Sequence, residues 1–254
     1  MANFIWYELL ADDVDAAQDF YARLLNWQVC DSGIPDRDYR ILATGEGVAI
    51  GGLMQRPPGS PGGPVWLGYL PVVDVDESLG AIVEDGGRVL MPAWTMPGVG
   101  RMALVTDPLG APFYIMASED EQTSRAFAEH GTGDSVGHVT WNERIASDPD
   151  RALAFFGRHF GWAHQGGMPM GDLGEYRFLA DGPVMLGALM GCPPGGTPGW
   201  RFYFSVADID LAAARVSEGG GTIEYGPTEI PGGQYSMSVL DPQGARFGLV
   251  GPRI

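Results

Sequence analysis

The sequence predicts an α+β chain of four βαβββ modules arranged as two related halves, and three observations carry that expectation. Aligned with itself, the chain matches at an offset of about 134, and such periodicity decides architecture before any short motif does. Within each half a strand-like alternation, an amphipathic helix and three short strand-like runs follow one another twice. Gly, Pro and acidic stretches separate these units.

The repeat is explicit in the residues. Segment 20–27, FYARLLNW, lies over 155–162, FFGRHFGW; WLGYLPVVDVD from Trp66 lies over WRFYFSVADID from Trp200; VTDPLGAPF from Val105 lies over VLDPQGARF from Val239. In the first module FIWYELL alternates as a half-buried strand, Asp12-Asp13 supplies a helix start, and Val14, Ala17, Phe20, Tyr21, Leu24 and Leu25 share one helical face. Strand-like runs follow at 27–30, 39–44 and 48–54. The second module starts at Trp66, with a helix from Asp76 that places Leu79, Ile82 and Val83 on one face, then strands near 88–90, 101–106 and 113–116. Modules three and four begin near His138 and Trp200. Segments 57–64 and 192–199 are Pro/Gly linkers, and the polar, acidic 118–134 crosses between domains expected at 1–120 and 135–254.

Composition narrows the function. The net charge is −17 and all fifteen basic residues are arginine. A duplex binder or an anionic-membrane binder needs a cationic face, so neither partner is expected. Without lysine, Schiff-base and P-loop chemistry are excluded. The start MANFIWYELLADD has neither a basic region nor a long apolar run, which points to a cytoplasmic protein. Cys30 and Cys192 do not correspond in the repeat and read as free thiols.

Together, the D-x-x-x-A-x-x-FY-x-x-L-x-x-W helix at 13–27, its weaker copy at 148–162 and the D-P-x-G-A-x-F segments at 107–113 and 241–247 resemble the vicinal oxygen chelate superfamily. That superfamily contains glyoxalase I, bleomycin- and fosfomycin-resistance proteins and extradiol dioxygenases. WYELLADDVDAAQDFY, GGLM and WLGYLPVVDVD further resemble its two-domain actinobacterial members, described as glyoxalase-like or as hydroxylases. The resemblance implies cup-shaped mixed sheets with helices outside. It also implies metal ligands at positions that hold Trp6, Leu67 and Tyr114 in one half and Trp141, Arg201 and Gly248 in the other. None of these is a His or carboxylate ligand, so no metal cofactor is expected. The histidines, His130, His138, His159 and His164, form no symmetric set and read as structural or surface residues.

Strand alternation puts Glu8 on the face of Trp6 and Glu143 on that of Trp141, with Tyr69 and Tyr203 two beyond Leu67 and Arg201. Glu8 and Glu143 are the candidate acid-base residues. Trp6, Leu67, Tyr69, Arg101, Tyr114, Trp141, Arg201, Tyr203, Tyr235 and Gly248 are candidate ligand contacts. The first cup should suit a flat apolar ligand. In the second, Gly248 should leave open the room that Tyr114 fills in the first, and Glu143 could pair with Arg201 if the last two modules join. The expected function is metal-independent binding of a small, aromatic or antibiotic-like molecule; the alternative is a hydroxylase, lyase or dioxygenase-like enzyme using acid-base residues or a non-standard metal site. A monomer or homodimer suffices, because the duplicated chain carries the modules for two cups.

Overall fold

The computed structural model describes residues 3–120, 123–129 and 135–254. His130 and part of the 118–134 linker lie outside them. The first module is β1 (Trp6–Ala11), α1 (Val14–Leu25), β2 (Gln28–Asp31), β3 (Tyr39–Ala43) and β4 (Ala49–Gln55). The second is β5 (Val65–Pro71), α2 (Val75–Glu84), β6 (Arg88–Met96), β7 (Gly100–Thr106) and β8 (Pro112–Ser118). The third is β9 (Val139–Ala146), α3 (Pro149–Phe160), β10 (Ala163–Pro169), β11 (Glu175–Asp181) and β12 (Val184–Gly191). The fourth is β13 (Gly199–Ser205), α4 (Ile209–Glu218), β14 (Thr222–Ile230), β15 (Gln234–Leu240) and β16 (Arg246–Gly251). All four are βαβββ. Two curled mixed sheets result, ordered β2-β3-β4-β1-β5-β8-β7-β6 and β10-β11-β12-β9-β13-β16-β15-β14, with helices outside.

An aspartate caps each of the four α-helices named above. Asp13, Asp74 and Asp148 each accept from the backbone N–H three residues on at 3.0 Å, and Asp208 from those of Asp210 and Leu211, satisfying donors a helix start leaves open. The α2 cap is therefore Asp74, two residues before the expected start. Its buried residues are Val75 and Ile82, whereas Val83 is half-exposed. On α1 all six expected face residues are buried.

The D-P-x-G-A segments are tight turns. One carboxylate oxygen of Asp107 accepts from the Leu109 and Ala111 N–H groups, and one of Asp241 from those of Gln243 and Ala245, all at 2.8–2.9 Å. Gly110 (φ 88°) and Gly244 (φ 93°) take the left-handed backbone that such a turn requires.

Two compact units make up the chain, and each draws on both halves. One comprises 1–5, 67–124 and 141–200; the other comprises 6–66, 125–140 and 201–254. The second module thus associates with the third and the first with the fourth, a pairing that the sequence leaves open. The 1–5/67–124/141–200 unit has a core of Phe4, Phe113, Phe155, Phe156, Trp162 and Trp200. The other centres on Phe20, Tyr21, Trp27, Trp66, Phe204 and Phe247. Its linker residue Ala126 is buried, so this part of the expected polar crossing belongs to the core. Among the described residues no helix is long and apolar enough to cross a membrane.

Each unit satisfies its turn aspartate differently. Asp241 accepts from the Tyr21 hydroxyl at 3.0 Å, and that hydroxyl accepts from the Trp66 indole N–H at 2.9 Å. Burial pushes both the Asp241 carboxyl and the Tyr21 phenol above their ordinary values. Asp107 instead faces the guanidinium of Arg144, at 2.6 and 2.9 Å, with both side chains fully buried.

Candidate functional site

Each unit carries a Trp-Tyr-Glu arrangement on the sheet face that β1 or β9 presents away from its helix. The Trp141 indole N–H donates to the Tyr176 hydroxyl at 2.8 Å, and that hydroxyl donates to Glu143 Oε2 at 2.8 Å. Tyr176 is therefore oriented as an acceptor on one side and a donor on the other. Glu143 is 4% exposed, while Trp141 and Tyr176 are half-buried. Phe178 meets Trp141 edge-on at 5.9 Å, giving the carboxylate an aromatic surround.

In the other unit the Trp6 indole donates to the Tyr39 hydroxyl at 2.9 Å. Parallel pairing sets Glu8, 3% exposed, opposite Gly52, and a Cβ at Gly52 would lie 2.1 Å from the Tyr39 hydroxyl. Glycine there lets the phenol cross the strand beside Glu8. Sequence reasoning missed Tyr39 and Tyr176. The signal was available in YRILA at 39–43 and YRFLA at 176–180, matched across the repeat.

The second and fourth modules present contrasting faces. Tyr69 and Tyr114, paired in register on β5 and β8, stack at 4.2 Å, with Trp94 edge-on to Tyr114 at 6.0 Å; Leu67 is buried. On β13 and β16, Tyr203 is paired with Gly248, and a Cβ on Gly248 would lie 2.2 Å from the Tyr203 ring. The space expected to stand open at Gly248 is therefore filled by Tyr203. Arg201 approaches Glu224 at 3.6 Å, and Arg246 approaches the same carboxylate at 3.4 Å. Glu143 accepts from Tyr176, and Arg201 meets Glu224.

Two further expected ligand contacts serve helix ends. Arg101 makes a bidentate pair with Asp76 on α2 at 2.8 and 2.9 Å, which holds the Asp76 carboxyl below its ordinary range. Tyr235 lies under Arg253, 4.1 Å from ring centroid to guanidinium, and Arg253 pairs with Asp210 on α4. Alternation explains this, since Arg101 and Tyr235 fall on the helix side of β7 and β15, whereas Met102 and Ser236 point the other way. The histidines are dispersed: His138 bonds the Arg125 carbonyl, His159 lies by Asp85 and His164 by Glu175. Cys30 and Cys192 are free thiols.

This duplicated βαβββ architecture, with its paired turn aspartates, defines a glyoxalase-type fold. The chain belongs to the Glyoxalase/Bleomycin resistance protein/Dioxygenase superfamily, whose family model matches residues 3–115 and 135–249. It is 34% identical, over 97% of its length and 94% of the relative's, to "Putative glyoxylase CFP32" of Mycobacterium tuberculosis. It is 27% identical, over 96% of its length and 91% of the relative's, to the anthracycline biosynthesis protein DnrV of Streptomyces peucetius. Among solved structures, it resembles a single-residue variant of homoprotocatechuate 2,3-dioxygenase from B. fuscum (TM-score 0.68, 17% identity, 99% of this chain and 71% of that one). It also resembles the Mn(II)-bound glyoxalase from Novosphingobium aromaticivorans (TM-score 0.65, 15% identity, 99% and 83%).

The metal that such folds can hold does not fit the residues here. At the expected ligand positions Trp6 and Trp141 have indole N–H groups that donate to tyrosines, Leu67 is a buried hydrocarbon, and Tyr114 is stacked on Tyr69. Arg201 is a cation, and Gly248 lies under a ring. Among the described residues no three His, Cys, Asp or Glu side chains converge.

Proposed function

We propose that the chain binds a small, flat aromatic molecule of the antibiotic-like kind, using indole and phenol faces for stacking and the Glu8 and Glu143 carboxylates to accept hydrogen bonds. The observation that carries this reading is the hydrogen-bonded Trp141–Tyr176–Glu143 series, which fixes a buried carboxylate among aromatic rings where metal-using relatives would place a ligand. An apolar recess with a few fixed polar groups is how small-molecule sites are generally built. Likeness to an anthracycline biosynthesis protein along nearly the whole chain supports an aromatic polycycle as the ligand class. On this reading the two repeats, 1–120 and 135–254, act in the cytoplasm as a monomer or homodimer.

The test is titration with an anthracycline, followed by tryptophan fluorescence and by the shift in melting temperature that binding to the folded state produces. Glu143→Gln keeps the shape and removes the charge. A saturable shift that weakens about tenfold in Glu143→Gln or Glu8→Gln supports the reading. Absence of any shift across anthracyclines and simpler polycycles removes it.

A second reading is acid-base catalysis by Glu8 or Glu143, of hydroxylase, lyase or dioxygenase-like outcome. The Tyr176–Glu143 bond favours it, because it holds a buried carboxylate in one orientation, as a general base must be held. Turnover of a bound polycycle that is lost in Glu143→Gln while binding persists distinguishes it from simple binding.

A further inference from the structure

The helix sides of the two units are built alike but finished differently where the paired helices end. Arg23 in the last turn of α1 corresponds to Arg158 in the last turn of α3, and Gly219 after α4 corresponds to Asp85 after α2. In the 1–5/67–124/141–200 unit the cation and the carboxylate meet. Arg158 Nη1 pairs with Asp85 Oδ1, and His159 Nε2 lies 3.1 Å from Asp85 Oδ2. In the other unit Leu24 stands in place of His159 and glycine in place of Asp85. The Arg23 guanidinium makes no ion pair or hydrogen bond with any described residue.

A recess of about 270 Å³ lies between α1 and α4, walled by Phe20, Arg23, Arg215, Gly219 and Pro242. Arg215 Nη1 donates to the Leu24 carbonyl at 3.4 Å, which brings a second guanidinium to the end of α1 that carries Arg23. The helix dipole favours a cation in the last turn, and the Arg215 bond serves it; the Arg23 guanidinium adds no such bond. Position 219 cannot regain the carboxylate without displacing Phe20, because a Cβ there would lie 2.8 Å from the Phe20 ring. Asp19 and Glu218 also line the recess, but both are exposed and neither forms an ion pair with a described arginine.

We infer that this recess is a binding site for the carboxylate of a small organic acid, which takes beside Arg23 and Arg215 the place that the Asp85 carboxylate takes beside Arg158. A guanidinium matches a carboxylate with two parallel hydrogen bonds, and charge-assisted bonds of this kind are about twice as strong as neutral ones. Phe20 and Pro242 offer an apolar wall to the rest of the acid, and the volume limits that remainder to about one ring. Asp19 and Glu218 repel further negative charge, so the ligand is a monoanion and not a dicarboxylate or a phosphate ester. The site lies on the helix side of the sheet, opposite the face of Trp6 and Glu8, and stands independently of the aromatic binding proposed above.

Benzoate is the probe and benzamide its uncharged counterpart, each titrated into the full chain with nitrogen-15 in its arginines, so that every Nε–H signal reports its own site. The Arg23 and Arg215 signals are assigned by their loss in Arg23→Gln and Arg215→Gln. Benzoate should shift both signals saturably and bind there about tenfold or more tightly than benzamide. Arg23→Gln should weaken benzoate about tenfold, read at the Arg215 signal, with benzamide unchanged. The D19N/E218Q variant alters only exposed carboxylates and should tighten benzoate, which keeps the test open if an arginine variant folds poorly. Equal affinity for benzoate and benzamide at these signals, a shift that does not saturate, full benzoate affinity in Arg23→Gln, or no gain in D19N/E218Q overturns the inference. A benzoate shift confined to other arginines overturns it as well, and leaves the aromatic reading of the cups untouched.

Discussion

Replacing Arg144 by leucine, the residue at the corresponding Leu9, should destabilise the 1–5/67–124/141–200 unit severely, and adding Phe156→Tyr should restore part of the loss. Arg144 and Asp107 are both fully buried and joined at 2.6 and 2.9 Å. Removing one partner of such a pair leaves an uncompensated charge, at a cost of about 3–5 kcal/mol. The other unit shows how a buried turn aspartate is satisfied without arginine. There Tyr21 meets Trp66 edge-on at 5.3 Å, while at the matching places Phe156 meets Trp200 at 5.2 Å. A hydroxyl on Phe156 would therefore stand between the Trp200 indole and Asp107, as that of Tyr21 stands between Trp66 and Asp241. A hydrogen bond to a charged group contributes about 1.5–3 kcal/mol, so the double variant should recover about half of the loss. In the wild-type background Phe156→Tyr crowds the Arg144 guanidinium and should cost about 1–3 kcal/mol. Urea unfolding of the four proteins closes a double-mutant cycle, and a coupling of about 2 kcal/mol or more is expected. Additive losses, with no rescue of R144L by the tyrosine, would refute the equivalence of the two arrangements.

Tyr21→Phe should cost about 1–3 kcal/mol in urea unfolding, because it removes the hydroxyl donor of Asp241 and the acceptor of the Trp66 indole. Gly248→Ala should destabilise by about 1–3 kcal/mol through collision with the Tyr203 ring, and an equal loss in a Tyr203→Ala background would sink that explanation. Burial holds the His138 imidazole below its ordinary 6.5, so the unfolded chain takes up this proton first as the pH falls. The associated stability is present above pH 6.5 and is lost as the pH drops toward the depressed folded value. Unfolding midpoints across that window should fall less steeply in His138→Gln.

The sequence is most informative where one period fixes the answer. The α1 face, six apolar residues after a capping aspartate, is buried as the 3.6-residue repeat demands. In VDVDESL two aspartates compete for the cap, and only the geometry selects Asp74 over Asp76. Alternation places Glu8 beside Trp6, but it cannot reach across strands. Tyr39 joins Trp6 from 33 residues away, through register and through a glycine that lets its ring pass. Gly248 shows the converse limit. An absent side chain reads as vacant space in sequence, whereas the Tyr203 ring on the neighbouring strand occupies it. Arg101 and Tyr235 depend on one residue of alternation, since a single step along β7 or β15 exchanges the helix side for the cup side.

Differences between the repeats separate the demands of folding from those of a site. A turn aspartate already holding two backbone N–H groups on one oxygen must still satisfy the other in the interior. The interior accordingly changes by compensated exchange: Arg144 goes with Phe156 around Asp107, and Leu9 goes with Tyr21 around Asp241. Neither version alters what the surface offers. The sheet faces of the second and fourth modules differ more widely. There the stacked Tyr69–Tyr114 pair gives way to Tyr203 over glycine, and Leu67, Leu90 and Pro112 give way to two arginines around a glutamate. Backbone geometry does not set this exchange, since Tyr203 keeps on β13 the register that Tyr69 has on β5 while the side chains around it change in size and charge.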